Sequence, residues 1–223
     1  MEELMFATTE KEKISELKYG GYNKLIFDIV PKNSKVLDIG CSTGLLAKLL
    51  KENKNCSVVG IDFDKKSLQQ AEKYCSTVYE IDLDESDRIK NALNDERFDI
   101  ITMGDVLEHL KHPGVLLKEL QRYLKPNGMI LAVLPNSAFI SMRVKFLLGD
   151  YSYEKNGGLM DVDHLRFFSF RTAEILFREA GYRIESLSGN SVVKNKYWFL
   201  RPLSAIYPRL FSIHILIVAK NEI

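Results

Sequence analysis

Two histidines in the sequence could take a proton from a reacting hydroxyl group. His109 ends the segment 104–109 (GDVLEH), and His164 lies within the segment 161–169 (DVDHLRFFS). A histidine ring changes its charge between about pH 5 and 8, so a neutral ring beside a hydroxyl can act as a general base. Each ring could instead be structural and bond a loop carbonyl, and the sequence leaves that alternative open for both.

A turn at residues 38–44 (DIGCSTG) follows a short apolar run. Gly40 and Gly44 let the backbone bend sharply and approach a ligand closely. A dinucleotide site usually has a third glycine and points the start of a helix at a pyrophosphate. That glycine is absent, and the Asp38 carboxylate would repel a pyrophosphate but suits the ammonium group of an amino acid. The turn therefore favours S-adenosylmethionine over NAD, which leaves a nicotinamide-dependent oxidoreductase as a distant alternative.

Two aspartates and an aromatic residue could complete an adenosine site around this turn. Asp62 ends a second apolar run and could accept hydrogen bonds from two ribose hydroxyls, because Asp64 is better placed to cap the next helix. Asp82 follows a third run and could accept from an adenine amine, with Phe63 and Leu83 as apolar walls. Asp82 could equally belong to an acidic surface loop, so both interpretations stay open.

These residues follow strands of a predicted parallel sheet. Apolar runs predict strands at 35–39, 57–62, 77–81, 98–103 and 129–134. Amphipathic stretches predict helices between them, one of which covers 65–74, and residues 125–128 (KPNG) predict a turn before the fifth strand. Parallel pairing follows, because each helical crossover returns the chain to the same edge of the sheet. Ligands of such sheets bind at the carboxyl ends of the strands, where the turn and the aspartates lie.

The last third of the chain predicts a different ending. Residues 171–180 form a helix closed by Gly181, and residues 182–188 and 212–220 form two strands too close in sequence for a full crossover. The predicted fold class is therefore α/β: a Rossmann-like, doubly wound, seven-stranded sheet, mostly parallel with an antiparallel last strand, with helices on both faces. We expect a single domain over residues 1–223, with a helical cap (1–33), a cofactor-binding core (34–134), a lid and acceptor insertion (135–170), and a C-terminal helix with the last two strands (171–223).

Four segments closely resemble the motifs of class I S-adenosylmethionine-dependent methyltransferases, in the order that the family has. They are 36–44 (VLDIGCSTG), 59–62 (VGID), 98–101 (FDII) with 105–109 (DVLEH), and 124–129 (LKPNGM). Ser42 departs from the pattern, since the family usually has a second glycine there. The resemblance implies S-adenosylmethionine as cofactor and a sheet of seven strands with an antiparallel last strand.

The resemblance also implies cofactor contacts by position. The methionine part would be lined by Asp38, Gly40, Cys41, Ser42 and Gly44. The ribose would be held by Asp62, and the adenine would lie against Phe63, Asp82 and Leu83. The sulfonium would lie above Gly104, Asp105 and Val106, and Tyr22 would close over the cofactor.

The acceptor half is similar to two kinds of methyltransferase. Segments 147–149, 157–161 and 164–168 look like a bacterial subgroup that is often associated with cell-surface polysaccharide or secondary-metabolite pathways. Segment 107–109 (LEH) is similar to quinone-pathway O-methyltransferases, some of which use a divalent metal. Asp105, Glu108 and His109 could supply ligands, but a hard cation prefers more oxygens than these, so no metal is predicted.

The composition and charge of the chain bear on which partners and bound groups it is expected to have. The formal net charge is +1, from 31 Lys and Arg against 30 Asp and Glu, so nothing favours nucleic acid. Three cysteines without metal spacing argue against a zinc site or a disulfide framework. The amino terminus lacks a signal-peptide pattern, and no apolar run reaches membrane-spanning length, so we expect a cytoplasmic monomer or homodimer without stable membrane insertion.

The sequence thus predicts an O-methyltransferase of a small molecule or a sugar or glycan precursor, with His164 and His109 as catalytic candidates. Two alternatives remain open. One is a methyltransferase that acts on protein or nucleic acid, and the other is a non-catalytic binding protein with the same fold.

Overall fold

The apolar runs of the chain form seven strands in a computed structural model that describes residues 23–85, 87–155, 157–191 and 201–222. The strands are β1 (Lys35–Ile39), β2 (Ser57–Asp62), β3 (Thr77–Glu80), β4 (Phe98–Gly104), β5 (Leu124–Pro135), β6 (Tyr182–Ser191) and β7 (Ser212–Asn221). The helices are α1 (Lys24–Ile29), α2 (Leu45–Lys54), α3 (Lys65–Ala71), α4 (Asp87–Leu93), α5 (Pro113–Leu120), α6 (Ile140–Leu147), α7 (Phe170–Glu179) and α8 (Arg201–Ile206).

The strands lie in the order β3-β2-β1-β4-β5-β7-β6. Strands β1 to β5 pair in parallel, as predicted. The chain moves outward from β1 in one direction through β2 and β3, and in the other through β4 and β5. The strand order therefore reverses between β1 and β4, and the crevice outside their carboxyl ends is where such sheets bind ligands.

The antiparallel last strand is also confirmed. Strand β7 runs antiparallel to both β5 and β6, and it lies between them, so β6 forms the edge of the sheet. The amino end of β7 therefore meets the carboxyl ends of the parallel strands. Residues at the start of β7 reach the ligand-binding edge, although they come late in the chain.

Helices cover both faces of the sheet because successive residues of each strand point to opposite sides. On β1, Leu37 packs into a core shared with α4, α5 and α7, while Val36 packs into a second core shared with α1, α2 and α3. Within the described residues, no helix has both the length and the apolar character needed to cross a membrane.

Several predicted boundaries differ from the structure, among them the end of α3 and the start of β5. Helix α3 ends at Ala71, where the sequence pattern extended it to Tyr74. Residues 125–128, predicted as a turn, lie inside β5. Asn127 adopts φ 67° there, and the register between β4 and β5 shifts between Phe98 and Ile100. The turn-forming residues therefore make an irregularity within a strand, because pairing with β4 continues past them.

Candidate active site

The turn after β1 depends on left-handed backbone angles. Gly40, Ser42 and Gly44 have φ values of 73°, 47° and 76°. The carbonyl of Ile61 accepts from the N–H of Gly40 at 2.8 Å, which ties the turn to β2. A Cβ on Gly40 would lie 2.5 Å from Cγ2 of Val106, in the segment after β4. The cofactor turn and the segment predicted to lie below the sulfonium therefore pack in direct contact.

Replacing Gly40 with alanine is expected to destabilise the fold by about 2–3 kcal/mol, because a left-handed angle and a contact too close for a real Cβ act together. Chemical denaturation would measure the free energy of unfolding. Gly149→Ala is the matched control, since Gly149 has φ 79° but nothing lies within 4 Å of its added Cβ. Val106→Ala in the Gly40→Ala background should restore part of the loss. If both glycine variants lose the same stability, the contact with Val106 is irrelevant.

Asp38 lies buried at the end of β1, below this turn. The pKa of Asp38 is raised to about 7, mainly by burial and also by the charge of Asp62. The Thr102 hydroxyl, which donates to Oδ1 at 2.7 Å, opposes this rise. A cationic ligand beside a buried carboxyl group with a pKa near 7 would stabilise its ionised form at neutral pH. The ammonium group of an amino acid would suit this position, and its binding by Asp38 stays a prediction of the sequence.

The carboxylate of Asp62 accepts two backbone hydrogen bonds that its position in the sequence did not indicate. Its Oδ2 accepts from the N–H of Ser42 at 2.8 Å, and its Oδ1 accepts from the N–H of Asp64 at 2.9 Å. Asp64 caps α3, as expected. Each carboxylate oxygen has two lone pairs, so one on each remains for a ribose hydroxyl. The Ser42 bond joins the turn after β1 to the carboxylate at the end of β2.

Asp62→Ala is therefore expected to weaken cofactor binding by about 1.5–3 kcal/mol and also to loosen the turn, because a charged acceptor leaves both. Titration calorimetry with S-adenosylhomocysteine would give the affinity, and thermal unfolding would give the stability. Asp64→Ala removes a neighbouring carboxylate that caps α3 and should lower only the stability. An unchanged affinity in Asp62→Ala would remove Asp62 from the ribose site.

The residues predicted to contact the adenine differ in their exposure. Phe63 is 76% exposed beside Asp62, an unusual position for a large aromatic ring and one that suits stacking on a base. Leu83 is partly buried against the core. Asp82 is exposed and its Oδ1 accepts from the N–H of Asp84 at 3.0 Å, so its two interpretations stay open. Tyr22 lies outside the described residues.

The segment after β4 joins the cofactor turn to the acceptor side. Asp105 adopts φ 55°, and its N–H donates to the carbonyl of Val133 at 3.0 Å. Nδ2 of Asn23, the residue that caps α1, lies 3.5 Å from Oδ2 of Asp105. A Cβ on Gly104 would lie 3.3 Å from Cβ of Asn23. Helix α1 therefore closes one side of this segment, a contact that the sequence did not predict.

The structure brings both predicted histidines together around a buried carboxyl group. The ring centroids of His109 and His164 lie 4.9 Å apart, with the rings edge to face. One ligand-type atom each from Glu108, His109 and His164 lies within 4.8 Å of the others, a set that could hold a metal ion. Glu108 is 0% exposed. Among the described residues, its two carboxyl oxygens and Nδ1 of His164 have no hydrogen-bond partner.

The electrostatics of this cluster follow from its burial. Loss of water raises the pKa of Glu108 well above its ordinary value, and the nearby charge of Asp105 raises it further. Burial lowers the pKa of His164, and the charge of His109 lowers it too. At neutral pH the cluster therefore favours a neutral imidazole on His164, which is the form that accepts a proton.

Main-chain hydrogen bonds attach the connection between β5 and α7 to this cluster. The carbonyl of Glu108 accepts from the N–H groups of Leu165 and Arg166, at 2.8 and 3.0 Å. The carbonyl of Asp163 lies 3.0 Å from Nδ1 of His109. At the base of the connection, the N–H of Ser137 donates to the carbonyl of Phe168 at 2.8 Å. These bonds place His164 next to His109 although 55 residues separate them in sequence.

Sequence reasoning missed two features of the site. Glu108 was weighed as a metal ligand alone, and its complete burial was not predicted. Thr102, which holds Asp38, lies inside an apolar strand and is fully buried. A hydroxyl residue within such a run was the available signal, because a buried hydroxyl needs a partner.

Known proteins resemble this chain in sequence. Residues 14–187 match a family profile described as a methyltransferase domain. The chain is 27% identical over 201 residues to the ubiquinone biosynthesis O-methyltransferase of Pasteurella multocida, covering 80% of this chain and 78% of that protein. It is 31% identical over 106 residues to the demethylmenaquinone methyltransferase of Staphylococcus carnosus, covering 47% of this chain and 44% of that protein.

The fold is also similar to a solved structure. A S-adenosylmethionine-dependent methyltransferase from Archaeoglobus fulgidus superposes with a TM-score of 0.65 at 18% identity, covering 94% of this chain and 99% of that chain. At this identity the likeness concerns the fold. The family profile, in contrast, matches well over half of the chain. This chain therefore belongs to the methyltransferase domain family and is a class I S-adenosylmethionine-dependent methyltransferase.

Proposed function

We propose that the chain methylates an oxygen atom of a small hydroxylated aromatic acceptor, with His109 and His164 as the catalytic bases. The observation that carries this proposal is the cluster of Glu108, His109 and His164, which directly follows the segment of Gly104 and Asp105. A hydroxyl group is a poor nucleophile until its proton leaves, and a base contributes about 10²- to 10⁴-fold to such a step.

The hydrogen bond to Asp163 fixes the proton on His109. A carbonyl oxygen can only accept, so Nδ1 of His109 carries the hydrogen that is shared with Asp163 at 3.0 Å. The neutral ring then has its lone pair on Nε2, where it can accept the proton of an acceptor hydroxyl. His164, edge to face with this ring, is held neutral by burial and can share that proton. The attack becomes easier as the hydroxyl loses its proton.

The other half of the site would hold the cofactor. Bound S-adenosylmethionine supplies an activated methyl group on a sulfonium. In this proposal the Asp38 carboxylate binds the ammonium group, and Asp62 accepts from the ribose. The turn at residues 40–44 follows the methionine part, Phe63 stacks on the adenine, and residues 104–106 lie near the sulfonium. The left-handed turn, the buried Asp38 and the exposed Phe63 all fit this cofactor.

The connection between β5 and α7 supports an apolar acceptor. It carries eight exposed apolar and aromatic side chains, and exposed apolar surface of this kind often marks a binding site. They are Val144, Leu147, Leu148, Tyr151, Tyr153, Val162, Leu165 and Phe167. The relative from Pasteurella multocida is named for ubiquinone biosynthesis. We therefore place hydroxylated aromatic compounds ahead of sugar nucleotides as acceptors, and this connection as the acceptor wall and lid.

The test is an acceptor screen with purified protein and S-adenosylmethionine. Hydroxybenzenes and sugar nucleotides are offered side by side, and methylated products are detected by mass spectrometry. We expect product from the hydroxybenzenes, and product from sugar nucleotides alone would overturn the acceptor assignment. The same reaction run with a metal chelator should keep its rate, because the histidines are proposed to act as bases. Loss of activity that added divalent metal restores would instead make the cluster a metal site.

A further inference from the structure

A groove of about 370 Å³ lies between the start of α5 and the second half of α7. We call it the α5–α7 groove, and its lining residues include Lys111, Pro113, Val115, Lys118, Arg166 and Leu176. Of the described residues, none that is predicted to bind the cofactor lines it, and Glu108, His109 and His164 lie outside its lining. The groove is therefore a second concave surface, to which the proposed function assigns no ligand.

Part of the α5–α7 groove is apolar. Pro113, Val115 and Leu176 contribute aliphatic surface to its lining, and Val115 is 55% exposed, so this surface is open to a ligand. The two helices approach each other at Gly114, where an added Cβ would lie 3.5 Å from Cδ1 of Leu176. Small-molecule sites are mostly apolar clefts of about 300–1,000 Å³ with a few polar groups that orient the ligand. The volume and the lining of the groove fit a small ligand with an aliphatic part.

Three cationic residues at the groove lack an acidic partner. Lys111, Lys118 and Arg166 are exposed, and none of them makes an ion pair with any residue that the structure describes. Arg178 on the same helix α7, in contrast, pairs with Glu174 at 3.0 Å. The positive charge of the groove is therefore available to a ligand.

The lining of the groove holds little negative charge to oppose these cations. Nη2 of Arg166 donates to the main-chain carbonyl of Lys111, which places the guanidinium beside the segment before α5. Helix α5 begins at Pro113, and the first N–H groups of a helix lack helical acceptors and carry partial positive charge. Glu179 is the one acidic residue of the described lining. Three cations against one carboxylate leave two positive charges in excess, which suits a doubly charged anion.

We propose that the α5–α7 groove binds a phosphate monoester with an aliphatic body, at a site separate from those of the cofactor and the acceptor. The phosphate lies among Lys111, Lys118 and Arg166, and the aliphatic part covers Val115 and Leu176. An arginine offers a planar fork of donors that matches phosphate oxygens, and a lysine offers a compact charge. The ligand is a free molecule, because one small molecule satisfies both the cations and the apolar surface of a single groove.

The experiment is an NMR titration of the ¹⁵N-labelled protein with hexyl phosphate, in the presence of S-adenosylhomocysteine to occupy the cofactor site. We expect saturable binding with a Kd of about 1 mM or tighter. The amide shifts should be concentrated at residues 111–118, 166 and 176–180. Inorganic phosphate and hexanol each carry only one part of the ligand, so each should bind about tenfold more weakly or less.

Two variants test the charged and the apolar parts of the groove separately. Lys118→Ala removes an exposed charge and introduces a strong helix former, so we expect a folded protein with a Kd raised about fivefold. Val115→Glu places a carboxylate in the apolar part, at a helix start that favours negative charge, and should abolish measurable binding. Lys73→Ala is the matched control, since Lys73 is an exposed lysine outside the groove, and its Kd should equal that of the wild type.

The proposal is overturned if binding does not saturate, if the shifts are concentrated away from the groove, or if inorganic phosphate or hexanol binds as tightly as hexyl phosphate. An unchanged Kd in both Lys118→Ala and Val115→Glu would overturn it as well. Vesicles of phosphatidic acid and phosphatidylcholine should not displace hexyl phosphate, and displacement would contradict the assignment to a free molecule. Because the titration measures binding and not turnover, its failure is distinguishable from a failure of the proposed function.

Discussion

Replacing His164 with alanine is expected to lower kcat by about 10²-fold or more, while the affinity for S-adenosylhomocysteine stays unchanged. The ring centroids of His164 and His109 lie 4.9 Å apart. We expect the loss because the two rings would share the proton that leaves the acceptor. His164 takes no part in the cofactor turn. Steady-state kinetics would measure kcat, and calorimetry would measure the affinity.

The pH dependence of the wild-type protein gives a second measure of this effect. The pKa of His164 is lowered by burial, so its neutral, proton-accepting form persists below the ordinary histidine value of 6.5. With S-adenosylmethionine saturating, so that Asp38 does not limit the rate, the acid limb of kcat/KM for the acceptor should therefore lie below that value and change in His164→Ala. His112→Ala is the matched control, because His112 is exposed and makes no side-chain capping bond at the start of α5. If His164→Ala turns over at the wild-type rate, His164 is structural.

Cofactor affinity is expected to fall by about tenfold between pH 8 and pH 6, because one ionisation near pH 7 is coupled to binding. Burial raises the pKa of Asp38 to about 7 in the free protein. Binding of an ammonium group requires the ionised carboxylate. Below the pKa the carboxyl group must first release a proton, which weakens binding, and above it the affinity should level off.

Calorimetry in two buffers with different ionisation enthalpies would detect the released proton directly. Asp38→Asn keeps an oxygen that can accept from Thr102 but cannot ionise, so its affinity should be low at every pH. The stability of the cofactor-free protein should change with pH in the opposite direction to the cofactor affinity. Since the folded pKa of Asp38 lies above the unfolded value of 3.8, the contribution of Asp38 to stability falls as the pH rises from about 4 to 7. Asp38→Asn should therefore unfold no more easily than the wild type at pH 8. An affinity that is flat with pH would remove Asp38 from the ammonium site.

The sheet was predictable because local sequence determines most of it. The bounds of β1 and β2 match their apolar runs, since each run is closed by a turn residue and buried on both faces. The cofactor turn was predictable for the same reason. The residues of the turn lie within a few positions of the ends of β1 and β2. The carboxyl ends of parallel strands meet at one edge of the sheet, so these residues come together there.

The acceptor side was less predictable because it depends on distant contacts. His109 and His164 were found as separate candidates, but their proximity comes from main-chain bonds between Glu108 and residues 165–166. The α5–α7 groove depends on how two helices pack, which neither helix shows in its own sequence. The Ser42 bond to Asp62 joins two residues 20 positions apart, and Ser42 has a left-handed backbone angle that a serine seldom adopts.

The attachment of the connection between β5 and α7 has a consequence for how new acceptor preferences arise. The bonds at Ser137, Leu165 and Arg166 join main-chain groups to main-chain groups, so they do not depend on side-chain identity. Many exposed side chains of this connection can therefore vary without releasing it from the segment after β4. Natural drift or deliberate grafting of a homologous segment can exchange the acceptor wall while the cofactor half is inherited intact. Substrate range and methyl-donor use can thus evolve independently within one chain.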